Sequence, residues 1–202
     1  MKTENSVLMQ RARESLAGKW GLAIGTCVVY MLIVVGIQMI PKAGPFIVLI
    51  IGGPMMLGLI IFSLKLARAQ EAKLEDIFSG FNRFGTALGT HLLVILFTLL
   101  WMLLLIVPGI IAAFSYSMAF YILADDNSIG AMDAIDKSKK MMYGYKWKYF
   151  CLTFRFLGWA LLCVLTLGIG FLWFMPYVTI SFAKFYDDIK ENSVPPETLQ
   201  PR

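Results

Sequence analysis

The chain reads as an all-α integral membrane protein with six transmembrane helices arranged as three hairpins, amphipathic helices on the cytoplasmic side, and both termini cytoplasmic. Three observations predict this. Hydrophobic residues fill 58% of the 202 positions and charged residues only 15%, too little polar material to cover a soluble globule. Uncharged runs recur that are long enough to cross a hydrocarbon core, which takes about 20 apolar residues. All but two of the eighteen Lys and Arg residues fall on one side of the resulting map, the exceptions being Lys42 in a loop and Arg155 inside a span.

Gly21 to Ile40 is the first span and Phe46 to Leu64 the second. From Phe84 to Ala124 no residue carries a fixed charge, a length that suits two helices broken at Pro108-Gly109. Tyr149 to Tyr186 holds the last pair, split at Gly168-Ile169-Gly170. Lys and Arg near span ends are retained in the cytoplasm. Lys2, Arg11, Arg13 and Lys19 precede the first span, Lys65, Arg68, Lys73 and Arg83 follow the second, and Lys137, Lys139, Lys140, Lys146 and Lys148 follow the fourth. Lys184, Lys190 and Arg202 close the chain. Short outer turns are then expected at Pro41 to Pro45, Val107 to Ile110 and Leu167 to Gly170, with a flexible cytoplasmic tail over 187–202. A basic start, an amphipathic stretch and a full-length span without a cleavage pattern predict that the first helix is retained rather than removed as a signal peptide.

The connecting segments carry apolar residues at helical spacing. Leu74, Ile77, Phe78 and Phe81 form the stripe of an amphipathic helix. Ile129, Met132, Ile135 and Met142 form a looser one after Asn127-Ser128, a helix cap in prospect, and Val7, Leu8, Ala12 and Leu16 a weak one. Each leads into a span through a basic and aromatic junction: Gly18-Lys19-Trp20, Arg83-Phe84-Gly85 and Tyr145-Lys146-Trp147. One unit of in-plane helix, rising span, outer turn and returning span therefore fits 5–68, 71–124 and 127–186 within a single membrane domain covering 1–202. Parallel repeats of this kind are related by an axis along the membrane normal; independent amphipathic connectors lying on a bilayer are the plainer explanation.

The run Leu74 to Phe81, then Ile106 to Ile111, then Tyr121 to Asp126, resembles the bacterial membrane family called domain of unknown function 975. Further matches follow in order: Ser138 to Met142, Gly144, Lys146, Phe150, Phe156 to Trp159, Leu167 to Gly170, Pro176-Tyr177 and Phe185-Tyr186. The chain is more distantly similar to the membrane domain of certain glycerophosphodiester phosphodiesterases. The resemblance implies a bacterial plasma membrane, of the Gram-positive kind, and no particular activity.

The chemistry-bearing residues are few. Cys27, Cys151 and Cys163 lie within spans, where a thiol acts as a small hydrophobe, and a lone histidine, His91, offers no metal cluster. His91 reads as an interfacial or interhelical hydrogen-bonding residue. No cofactor or nucleic acid is expected. Asp125, Asp126, Asp133 and Asp136 read as capping and ion-pairing groups, not as acid–base catalysts. Arg155 has two readings: a snorkelling or locally paired arginine with Asp125 or Asp126 as partner, or a ligand for a lipid phosphate, aided by Lys146 and Lys148. Gly52, Gly53 and Pro54 interrupt the second span and Pro176 the sixth, as packing notches or as the walls of a cavity shared with Tyr116, Tyr121 and Tyr177.

The favoured function is non-enzymatic interaction with anionic inner-leaflet lipid through Lys19, Trp20, Arg83, Lys146, Trp147, Lys148 and Arg155, as a scaffold, membrane-organising factor or accessory subunit. A homo-oligomer or a partner membrane protein fits that role. The alternatives are a small transporter or channel for a hydrophobic or lipid-like cargo, and self-immunity to a membrane-active peptide.

Overall fold

The computed structural model of the chain describes residues 3–166 and 168–193; Lys2, Leu167 and 194–202, including Arg202, lie outside the described residues. Every regular element among them is helical: α1 (Asn5–Leu16), α2 (Trp20–Gln38), α3 (Gly44–Ala67), a 3-10 helix (Leu74–Arg83), α4 (Phe84–Leu104), α5 (Ile106–Tyr116), α6 (Ala119–Asp125), α7 (Ala131–Met141), α8 (Lys146–Leu165) and α9 (Phe171–Ser193). Five runs are long and apolar enough to cross a membrane: Trp20–Gln38, Gly44–Ala67, Leu74–Leu104, Ile106–Asp125 and Lys146–Leu165. The chain is a multi-pass helical membrane protein. The last helix, α9, falls outside that set because its first eighteen residues already include Lys184, Asp187 and Asp188.

Burial separates the helices into two rings. In the α3 run 50% of residues are buried, and in the run containing α5 and α6, 56%; for the runs containing α2, α4 and α8 the shares are 17%, 11% and 11%. The helix that returns to the basic end in each pair therefore forms the centre, and the helix that leaves it stands outside with leucines and tryptophans facing outward. The amphipathic elements close the basic end: α1 packs on α9, the 3-10 helix on α3, and α7 on α5 and α6.

Glycines set the closest of these contacts. A Cβ on Gly58 would stand 1.7 Å from the Ile77 carbonyl oxygen, and one on Gly80 2.0 Å from that of Pro54, so α3 and the 3-10 helix meet backbone to backbone. With three residues per turn, the packed row of the 3-10 helix is Ile77 and Gly80, while Leu74 and Phe78 from the expected α-helical stripe face outward. The weaker stripes shift likewise. Met9 is buried in α1 and Val7 is not; in α7 Ala134, Ile135, Ser138 and Met141 turn inward and Met132 outward.

Several expected boundaries move. The break between the third and fourth spans falls at Leu105, in extended conformation, while Pro108 sits in the first turn of α5, where its missing N–H costs no helical bond. Helix α7 starts after Gly130, and Asn127-Ser128 does not cap it; the Ser128 hydroxyl and N–H both donate to Asp126 Oδ1 instead. Helix α9 continues to Ser193, so 187–193 is helix rather than tail. Gly52-Gly53-Pro54 and Pro176 lie inside helices that continue past them, α3 to Ala67 and α9 to Ser193. The Gly52-Gly53 notch admits α4, for a Cβ on Gly53 would lie 2.6 Å from the Ala87 carbonyl oxygen and 2.9 Å from His91 Cβ. His91 fills that notch and meets the Phe120 ring edge-on at 6.2 Å.

The break occurs in the span without the mid-helix proline, between α5 and α6 at Ser117-Met118. Ser138 of α7 is fully buried there. Its hydroxyl donates to the Ser115 carbonyl at 2.7 Å and accepts from the Met118 N–H at 3.2 Å, taking up backbone groups that the interrupted ladder releases.

Candidate functional site

The three central helices end in one polar knot. Arg68, just past α3, reaches Asp187 of α9 through Nη2 at 2.6 Å and Asp125 of α6 through Nη1 at 2.6 Å. Tyr186 donates to Asp125 at 3.1 Å, and Lys190 pairs with the same carboxylate. The hydrogen bond to the Asp187 carboxylate raises the already high pKa of Arg68 further, so the knot keeps its cation at any ordinary pH. Tyr121, buried, stacks on Tyr186 at 5.5 Å beside it. The sequence signal was present in the apolar spacing of Phe182, Phe185, Tyr186 and Ile189, which carries the helix past Lys184.

Of the expected lipid ligands, two cations are consumed internally. Arg83 donates to the carbonyls of Leu123 at 2.9 Å, Asp126 at 3.1 Å and Ile129 at 2.7 Å, clamping the link from α6 to α7. Lys148 pairs with Asp188 at 2.6 Å with side chains only 12% and 5% exposed. Neither faces outward as a free charge. Arg155 lies on the exposed face of α8 with Nη1 3.8 Å from Met9 Sδ. Its expected partners are engaged elsewhere, Asp125 by Arg68, Lys190 and Tyr186, and Asp126 by Ser128. A shallow cleft of about 450 Å³ between the start of α1 and α8 brings Trp147, Lys148 and Arg155 together.

Two further grooves, of comparable size, open on the flanks. One, of about 510 Å³, runs between α2, α8 and α9 and is walled by Trp20, Trp159, Trp173, Phe174 and Tyr177, with Arg13 at one end and Gly170 at the other. The Arg13 guanidinium stands over the Tyr177 ring, 5.3 Å from its centroid. The other, of about 400 Å³, is walled by Trp101, Pro108, Ile111, Ser115 and Tyr116, with Lys139, Tyr143 and Lys146 at its basic end. There Lys139 Nζ stands 5.6 Å from the Tyr116 centroid. Sequence reading named Trp20, Tyr116, Tyr177 and Lys146 but missed Arg13 and Lys139. Lys19, half-buried, directly precedes α2 and the groove-lining Trp20. A fourth, smaller and mainly apolar space of about 210 Å³ lies between Cys27, Tyr30, Leu59 and Met175.

Five apolar runs long enough to cross a membrane, with cations gathered at one end of the bundle and lining clefts there, define a multi-pass membrane protein. The chain belongs to the family described as "Protein of unknown function (DUF975)", which matches residues 1–113 and 102–193. No curated protein and no solved structure matches the chain.

Proposed function

We propose that this is a six-span plasma-membrane protein with both termini cytoplasmic, and that it acts without catalysis by gathering anionic lipid at the inner leaflet as a scaffold, organising factor or accessory subunit. The sixth span is α9, shortened by the charges of the Arg68 knot. The observation that carries the reading is the contrast between satisfied and open cations: Lys148, though it reaches a cleft wall, is paired with Asp188 and Arg83 is spent on backbone carbonyls, whereas Arg13, Lys146 and Arg155 line clefts with aromatic walls and make no ion pair among the described residues. Cations next to tryptophan and tyrosine at a helix end attract acidic headgroups and seat in the interface. Transport has less support, because α3 and α9 run unbroken past Pro54 and Pro176. The test is lipid selectivity in vesicles with spin-labelled phosphatidylglycerol. Replacing Lys19, Lys146 and Arg155 with Gln should lower the motionally restricted anionic fraction by half or more, and an unchanged fraction would discard the proposal.

A further inference from the structure

The two flank grooves share a construction. Arg13 lies five residues before Gly18 and Lys139 five before Gly144, and both glycines hold positive φ, 76° and 78°, where an amphipathic helix ends. Tyr177 lies seven residues after Gly170 and Tyr116 seven after Gly109, each glycine marking the turn end of its hairpin. The cation of the amphipathic element thus meets, in both places, a tyrosine at the same station on the returning helix. From each tyrosine an apolar wall continues toward the turn end for about 10 Å at 1.5 Å per residue.

Resting on the inner-leaflet reading above, we infer that these grooves are one phospholipid site built twice, each holding a single anionic glycerophospholipid. Its phosphate meets the cation and the tyrosine hydroxyl, and an acyl chain lies along the tryptophan-lined wall. Charge complementarity names the occupant. Among the described residues Arg13 and Arg155 have no carboxylate partner, and both charges bear on Tyr177. Lys139 reaches only Asp136, in an exposed pair at 3.2 Å that is worth little in water and yields readily to a phosphate. Lys146 adds a second cation to that groove. Depth agrees as well. Helix α9 is uncharged only from Phe171 to Ala183, about 20 Å against about 30 Å of hydrocarbon. Together with Arg155 in α8, this lets the polar boundary reach inward on that flank.

The first hairpin lacks the site. Seven residues after Gly44 stands Ile51, and the 3-10 helix lies directly on α3. Two lipids are therefore expected per chain, not three.

Native mass spectrometry of the full chain, equilibrated with phosphatidylglycerol and phosphatidylcholine of matched chains, reads this directly. The unaltered chain should retain two phosphatidylglycerol molecules, Arg13→Gln one, Lys139→Gln with Lys146→Gln one, and the combined variant none, while Arg13→Lys keeps both. Two lipids retained by the combined variant, equal retention of phosphatidylcholine, or a second copy of the chain in place of lipid would each overturn the inference. Should a variant fail to fold, competition between the two lipids on the unaltered chain and quenching of its tryptophans by dibrominated phosphatidylglycerol still decide. If the unaltered chain retains no lipid yet the spin-label selectivity persists, the grooves are wrong and the inner-leaflet reading stands; loss of both removes both.

Discussion

The seam between α3 and the 3-10 helix and the two flank grooves occupy comparable places in successive hairpins, yet one is closed and the others are open. In the seam, Gly58 and Gly80 remove the side chains that would hold two backbones apart. In the grooves the corresponding space is bordered by tyrosine, tryptophan and a cation, and bulky rings leave a channel between them. The lesson is that packing density here is set by the smallest residue at each crossing. Small residues bind helix to helix in a membrane, and aromatic ones leave room for something else.

Breaking the closed seam should have the largest effect. A side chain at Gly58 or Gly80 meets carbonyl oxygen rather than a movable chain end, so the 3-10 helix must lift off α3. Gly58→Val is expected to destabilise the protein by on the order of 3 kcal/mol or more, and Gly80→Ala nearly as much. Thermal unfolding in nanodiscs measures it. Gly21→Ala, at a position with open space around it, should change nothing and controls for glycine loss alone.

The next effect lies at the border of the second groove. Ser138→Ala removes both partners of a buried helix break, leaving the Ser115 carbonyl and Met118 N–H unmet at a cost of about 2 kcal/mol. Amide exchange at Met118 should rise sharply while exchange along α3 stays as it was. Equal change in both would mean that the serine supports the fold generally and not this break.

These two sites also mark how far sequence reading reaches. Apolar runs are local properties, and they located α2, α3, α4 and α8 and the run from α5 through α6 within a few residues of their ends. The meaning of a proline is not local: Pro108 starts a helix, and Pro54 and Pro176 sit inside continuous ones, while the true break at Ser117-Met118 depends on a hydroxyl arriving from α7. The stripe at Leu74 presumed a period of 3.6, and the 3-10 helix has a period of three. Among the cations, only tertiary contacts distinguish Lys148, buried against Asp188, from Lys146 two residues earlier on a groove wall. Arg13 and Lys139 were legible in principle, through their equal distances from Gly18 and Gly144, but nothing in a single chain marks such a distance as meaningful until the rings beneath are seen.

The Arg68 knot binds the closed and open flanks together, since α3, α6 and α9 each contribute to it. Its members are 29%, 12% and 22% exposed at Arg68, Asp125 and Asp187, so solvent screens part of the interaction and the loss for Asp187→Asn should be modest, about 1 kcal/mol. A double-mutant cycle with Arg68→Gln should recover a coupling of that size, measured by unfolding in mixed micelles. Additive losses would mean that the two charges are held near each other by packing alone.

The smallest expected change is the sharpest test of why the first hairpin differs. Two features distinguish it: Ile51 stands at the tyrosine station, and the 3-10 helix covers the place where a cation would enter. If the missing tyrosine were the cause, Ile51→Tyr would create a third lipid site. The covering helix is the stronger obstacle, because a lipid would have to separate Gly58 from Ile77, where the backbones already touch. Ile51→Tyr should therefore leave the retained lipid count at two and the stability within about 0.5 kcal/mol of the starting protein, as for a partly exposed position where the tight crossing with α4 is made by Gly53 and not by Ile51 itself. A third retained lipid would show that the seam yields, and would place the difference between the hairpins in one side chain rather than in two glycines.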